Sequence, residues 1–200
     1  MVLEEPFDPT LEDYRRIARE KLGDKRYRHV LSVTRLATEL AEAYGADVWK
    51  ARAAALLHDV MKEVPLDVQL QMIRDSGIII DNTFLGCTNV YHAVTARLFA
   101  QQELGIQDGD ILNAIRYHTT GRAGMSLLEK IVYVADATNY ERTYPEAEEL
   151  RKLAFADLDE CMLEILVFTF EKLTARRCVI AADTLYCYND ICQLKGEKNH

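Results

Sequence analysis

The stretch Ala51-Arg-Ala-Ala-Ala-Leu-Leu-His58-Asp59-Val-Met-Lys62-Glu-Val-Pro65 constrains the fold more than any other. Alanine and leucine lose little side-chain freedom in a helix, so Ala51 to Leu57 predicts one. With almost no polar face, that helix has to be surrounded by other elements. Its end carries His58-Asp59, and a carboxylate is rarely taken out of water without a partner. The partner is a bound cation, an N–H donor, or water at an exposed end. Pro65 stops the segment, because the residue before a proline is pushed away from helical dihedrals.

The rest of the chain supplies helices to surround it. Thr10 reads as the N-cap of a first helix that ends near Gly23. Between Lys25 and Tyr44, Val30, Val33, Leu36, Ala37, Leu40, Ala41 and Tyr44 recur at three- and four-residue steps, with His29 beside the stripe and Gly45 after it. Asp47 is placed to cap the helix that runs to His58, and a further helix covers about 66–74. Residues 76–89 are irregular and read as a loop, although Ile78-Ile79-Ile80 has the composition of a short strand. Helices resume at 88–104, carrying His92, and at 108–117, ending on His118-Thr119-Thr120-Gly121. Ser126 to Asp136 has little polar face and predicts a buried central helix that also finishes on an aspartate. Pro145 opens another helix with acidic residues in its first turn. Helices at 157–177 and 183–194 follow, before a frayed tail. Nothing repeats, so the expectation is an all-α, single-domain helical bundle over 1–200, with a core at about 25–140 and C-terminal helices at about 145–194 that complete it.

Composition narrows the function. A net charge of −8 opposes a large footprint on nucleic acid, which needs many cations on one face. No apolar run approaches a membrane span, and the start lacks a basic region followed by a hydrophobic one. The expected location is the cytoplasm. The five cysteines include no C-x-x-C pair and read as reduced, packed thiols.

Outside the C-terminal His200 there are four histidines, His29, His58, His92 and His118, each on or at the end of an expected helix. Two buried helices end in carboxylates, Asp59 and Asp136, and a bundle brings such ends together. Imidazole with carboxylate suits iron, manganese or zinc. Taken singly, His29 has an ordinary reading as a satisfied core histidine and Asp136 as a cap; together the residues favour a metal site. Neighbouring residues on a helix point roughly 100° apart, so His58 and Asp59 share an ion only where the helix is ending.

His29, His58-Asp59 and Asp136 resemble the H…HD…D signature of the HD-domain metal-dependent phosphohydrolases, an all-helical superfamily. The resemblance is closer to one branch, the YqeK-type symmetrical diadenosine tetraphosphate hydrolases. It is carried by Tyr27–Val33, Ala54–Lys62, Ala114–Arg122 and Leu128–Asp136, with His118-Thr-Thr-Gly-Arg122 the most specific part. It implies metal ligands His29, His58, Asp59 and Asp136, and iron as the metal, one ion or two, with manganese or another divalent ion as the alternative. It implies nucleotide contacts from His29, His92, His118, Thr119, Asp136 and Arg142. Thr184-Leu-Tyr-Cys-Tyr-Asn189 is similar to the branch's C-terminal Thr-Leu-x-x-Tyr-Asn, which implies Thr184 near the base pocket. One departure is Thr95, where members of the branch tend to have glycine.

The residue chemistry agrees. A bound metal lowers the pKa of water and polarises a phosphoryl oxygen, most of what phosphoanhydride hydrolysis requires. His92, His118 and Lys62 are the candidate catalytic groups, and Arg122 and Arg142 are placed to offset phosphate charge. The expectation is symmetrical hydrolysis of diadenosine tetraphosphate to two ADP by a metal-activated water. Its rivals are a related HD-type nucleotidase or deoxynucleoside triphosphate phosphohydrolase, and a nucleotide-binding sensor without turnover. The expected partner is a small dinucleoside polyphosphate, with no polynucleotide and no membrane; a homodimer is left open.

Overall fold

The first helix begins earlier than Thr10. In the computed structural model, which describes residues 8–78 and 82–198, the Asp8 side chain accepts the backbone N–H groups of Thr10 and Leu11 at 2.9 and 3.0 Å. Pro9 takes the first helical position, where a missing N–H costs nothing. Asp8 is therefore the cap and Thr10 already lies inside the helix.

The described residues form α1 (Pro9–Lys21), α2 (Asp24–Tyr44), α3 (Val48–Leu57), α4 (Leu66–Asp75), α5 (Asn82–Leu85), a 3-10 turn (Thr88–Val90), α6 (Tyr91–Gln102), α7 (Gly109–Tyr117), α8 (Leu127–Thr138), α9 (Ala147–Ala156), α10 (Leu158–Ala175) and α11 (Ala182–Lys198). They contain no strand. The expected loop at 76–89 holds α5 and the 3-10 turn instead; Ile79, Ile80 and Asp81 lie outside the described residues. The tail expected to fray is helical through Lys198.

Helix α3 is the hub, packed against α1, α2, α7 and α8. Asp47 caps it through the Lys50 N–H at 2.9 Å, and Ala51 and Ala53 to Leu57 are buried. Leu36, Leu40, Leu56, Leu57, Ile115, Ile131, Met162 and Leu166 are fully enclosed around it. Burying each such side chain is worth about 1.5–3 kcal/mol before the entropy of ordering the chain is subtracted.

The packing gathers helix ends at one place. Helix α3 stops at Leu57, and the chain continues in tight turns in which the Val60 and Lys62 N–H groups bond carbonyls three residues back, at 3.3 and 2.8 Å. That tightening lets His58 and Asp59 turn toward one centre. Helix α7 likewise has His118 as its C-cap. Helix α8 does not finish on Asp136; it runs to Thr138 and places Asp136 in its last turn.

The turn after His118 requires a glycine. Gly121 has φ 64, and a Cβ there would stand 2.5 Å from Cys187 Sγ of α11. A side chain would be strained by the backbone and would also collide with the helix that braces this turn. Thr95 is accommodated: it is fully buried and donates its hydroxyl to the Tyr91 carbonyl at 3.1 Å.

Candidate metal centre and active site

Four imidazoles and two carboxylates meet where these helices end. His29 comes from α2, His58 and Asp59 from the end of α3, His92 from the first turn of α6, His118 from the end of α7 and Asp136 from α8. Asp59 is central. Its Oδ2 is 3.6 Å from Nε2 of both His29 and His58. Its Oδ1 is 3.2 Å from His92 Nε2 and 3.7 Å from His118 Nε2. Asp136 Oδ1 lies 3.0 Å from His29 Nε2.

Two of the imidazoles are oriented by the same local device. The Nδ1–H of His58 donates to the Ala55 carbonyl at 2.6 Å, and that of His118 to the Ile115 carbonyl at 2.7 Å. A carbonyl accepts only, so Nδ1 carries the proton and the Nε2 lone pair of each ring faces the centre, the arrangement of a metal-ligating histidine.

Electrostatics points the same way. Burial pushes the His58 and His118 imidazoles below their usual pKa, His118 to about 3, so both are neutral near pH 7. Burial alone would raise the Asp59 and Asp136 carboxyls. The surrounding imidazoles, joined at Asp136 by Arg142, outweigh it and hold both well below the usual carboxylate range. Neutral imidazole lone pairs therefore face ionised carboxylates. Moreover, His29 Nε2, His58 Nε2 and Asp59 Oδ1 are buried with no aligned hydrogen-bond partner among the described residues. Such an acceptor-rich centre is costly unless a cation fills it. Three sets of ligand atoms lie within 4.8 Å of one another: His29, His58 and Asp59; His58, His118 and Asp136; and Asp59, His92 and His118. The donors suit a divalent transition metal.

Cations surround the centre. Arg26 Nη1 donates to Asp59 Oδ2 at 2.9 Å. Arg142 grips Asp136 through both its carboxylate, at 3.1 Å, and its backbone carbonyl, at 2.9 Å. Lys62 Nζ stands 3.2 Å from His92 Nε2, and its burial lowers the ammonium's pKa. Thr119 Oγ1 lies 3.0 Å from His118 Nε2. Two cavities flank the centre and share Arg142. The larger, about 480 Å³, includes His118, Thr119 and Asp136 in its walls; the smaller, about 310 Å³, includes Lys25, Arg26 and His29.

Not every expected residue is drawn in. Arg122 turns to Glu129 instead, donating from Nε and Nη2 at 2.6 and 2.9 Å, and lines neither cavity. Thr184 is buried on α11 and also lines neither; its helix meets the His118 turn through Cys187 against Gly121. Residue-by-residue reading missed Arg26, although it precedes His29 by three positions on α2 and so shares its face. It also missed Tyr144, Phe168, Lys172 and Arg176 in the wall of the larger cavity.

Comparison with known proteins matches this geometry. The family model for the HD domain matches residues 26–141, which contain all six residues of the cluster. A Bacillus subtilis protein named symmetrical bis(5'-nucleosyl)-tetraphosphatase is 38% identical over 174 residues, 86% of this chain and 91% of that one. A Staphylococcus aureus protein of the same name is 34% identical over 181 residues, 90% and 93% of the two chains. The crystal structure of a Clostridium acetobutylicum protein, described as an HD superfamily hydrolase involved in NAD metabolism, superposes with a TM-score of 0.88 at 34% identity, covering 91% of this chain and 96% of that one. With the cluster, the helical architecture and these relatives in agreement, the chain belongs to the HD domain family of metal-dependent proteins.

Proposed function

We propose that this protein hydrolyses diadenosine tetraphosphate symmetrically, giving two molecules of ADP. The observation that carries the reading is the buried, acceptor-rich cluster opening on a nucleotide-sized cavity. The relatives named for this activity, matched along nearly their whole length, support it.

We assign the ion to His29, His58, Asp59 and Asp136, the residues that would hold it, and Asp59 with His118 would hold a second ion. Iron is our choice for this nitrogen and oxygen set, with manganese as the nearest substitute. When bound, the metal supplies Lewis-acid polarisation of a phosphoryl oxygen and lowers the pKa of water. The chain's own residues do the rest. Arg142, seated between both cavities, offsets phosphate charge as it shifts toward the leaving group. Lys62 holds the His92 ring and adds a second positive charge beside it. Thr119 offers its hydroxyl to a phosphate oxygen next to His118. His118, neutral and presenting a lone pair, is suited to bind metal and unsuited to donate a proton; that differs from a role for it above the phosphates. His92 is left to pass a proton to the departing phosphate.

Chromatography of the products from a panel of nucleotides incubated with metal-loaded protein tests the reading. ADP as the sole nucleotide product from diadenosine tetraphosphate supports it. Release of nucleoside and inorganic phosphate from a mononucleotide, with the dinucleotide left intact, would make the protein a nucleotidase instead.

A further inference from the structure

His29 lacks the device that orients His58 and His118. Those two rings each give their Nδ1–H to a carbonyl of their own helix, which leaves the Nε2 lone pair toward the centre. The contact at His29 Nδ1 is instead the side-chain amide of Asn139, with Nδ2 at 3.5 Å. Asn139 is the C-cap of α8 and has no solvent exposure.

The backbone fixes which way that amide faces. Its Nδ2 donates to the Asp136 carbonyl at 2.8 Å, and its Oδ1 accepts the Glu141 N–H at 3.1 Å. Turning the amide over would set oxygen against oxygen and N–H against N–H. An N–H donor therefore faces His29 Nδ1, which acts as the acceptor. The ring's own proton is then on Nε2, 3.0 Å from Asp136 Oδ1 and 3.6 Å from Asp59 Oδ2 and aligned with neither. His29 points a proton at the carboxylates where His58 and His118 present lone pairs.

The backbone groups that Asn139 serves have other partners. The Asp136 carbonyl also accepts Nε and Nη2 of Arg142, at 3.1 and 2.9 Å, and the Glu141 N–H also reaches Ser32 Oγ at 3.3 Å. The turn itself is held through the Asn139 backbone carbonyl, which accepts Arg151 Nη1 and the Arg142 N–H, each at 3.0 Å. Burying an amide is costly. The contact that this amide makes without a substitute is the one with His29.

We propose that Asn139 is a positioning residue that makes His29 the exchangeable ligand of the metal centre. The inference rests on the metal assignment in the hydrolase reading above. Ligation through Nε2 requires the ring's proton to move to Nδ1, where it meets the Asn139 N–H and finds no acceptor. His58 and His118 carry no such cost, because their Nδ1 protons are already placed. His29 is the ligand that lets go first, and Asn139 sets how tightly the chain holds its ion.

Equilibrium titration of the full chain with manganese(II), read from the paramagnetic resonance of the free aqueous ion, tests this without substrate. Asn139→Leu, close in size, removes the opposing donor and tightens manganese binding roughly 2- to 10-fold, the worth of one hydrogen bond. Asn139→Asp offers an acceptor to the Nδ1–H and tightens it roughly 10- to 100-fold. A side chain that only braced the turn, or whose oxygen faced His29, would give weaker binding in Asn139→Leu; unchanged or weaker binding there overturns the proposal. Proton–nitrogen correlation NMR of the metal-free wild-type chain decides the matter if Asn139→Leu does not fold. The expected spectrum has the His29 proton on Nε2, opposite to His58 and His118, and all three on Nδ1 overturns the proposal. Turnover keeps the two readings apart. ADP formed from diadenosine tetraphosphate, with manganese weakened in Asn139→Leu, contradicts this proposal alone; tightened manganese with no ADP from wild type contradicts the hydrolase reading alone.

Discussion

Glu129 and Asp59 are carboxylates with almost no solvent exposure, 1% and 2%, in helices that share one core. Their surroundings differ. Glu129 receives two N–H groups of Arg122, at 2.6 and 2.9 Å, and the backbone N–H of Ser126 at 2.7 Å, closing a capping box at the start of α8. Asp59 has one aligned donor, Arg26, on Oδ2, while Oδ1 faces imidazoles with no aligned donor. The closed cluster needs nothing more and holds the fold. The open one is held by the fold in a state that only a further positive charge completes. Completeness of hydrogen bonding, and not burial or charge, separates the structural acid from the proposed metal ligand.

The largest effect follows from breaking the open cluster. Asp59→Ala lowers hydrolysis roughly 1,000-fold or more and removes the metal, because both proposed ion positions share this carboxylate; product chromatography and elemental analysis of the purified variant check this together. Breaking the closed cluster does the reverse. Arg122→Ala leaves Glu129 buried without its main partner and costs roughly 3–5 kcal/mol of stability in denaturant titrations, with metal content retained. If Arg122→Ala instead kept full stability and raised KM, Arg122 would belong with the phosphate-binding groups and the contrast would fail. His118→Ala sharpens the open side, with turnover reduced on the order of 100-fold and part of the metal lost. Full metal content in that variant would return His118 to a place above the phosphates. The smallest effect concerns the brace between the two regions: Gly121→Ala costs about 1–3 kcal/mol, read as a lower thermal midpoint, through its left-handed backbone and its contact with Cys187. An unchanged midpoint would mean that α11 yields to the added methyl group.

The sequence made the helices legible because their stripes repeat at helical spacing over many residues, as in α2, and because Asp47 announces a cap. It made His29, His58, Asp59 and Asp136 legible because imidazoles and carboxylates at the ends of apolar helices have few uses. Arg122 was harder. Seen as the neighbour of His118 it points to the active site, and only the fold reveals that Glu129, seven positions on, reaches back to it. The capping signature Ser126-x-x-Glu129 was the available clue, but it says nothing of a second partner for the acid. The face of α10 was hidden for a different reason. Periodicity identifies a stripe that is covered, and cannot tell a core from a cavity when the stripe mixes Phe168 with Lys172 and Arg176. At the N-terminus, Asp8-Pro9 outcompeted Thr10 because a carboxylate accepts two N–H groups and the proline prefers the first turn.

The central claim is that the open cluster directs water to an inner phosphorus of a dinucleoside tetraphosphate. Mass spectrometry of the products formed by the metal-loaded protein from diadenosine tetraphosphate in heavy-oxygen water tests it most directly. The account predicts ADP as the sole nucleotide product, with one label for each pair of ADP molecules; ATP and AMP in equal amounts would place the attack at an outer phosphorus and contradict it.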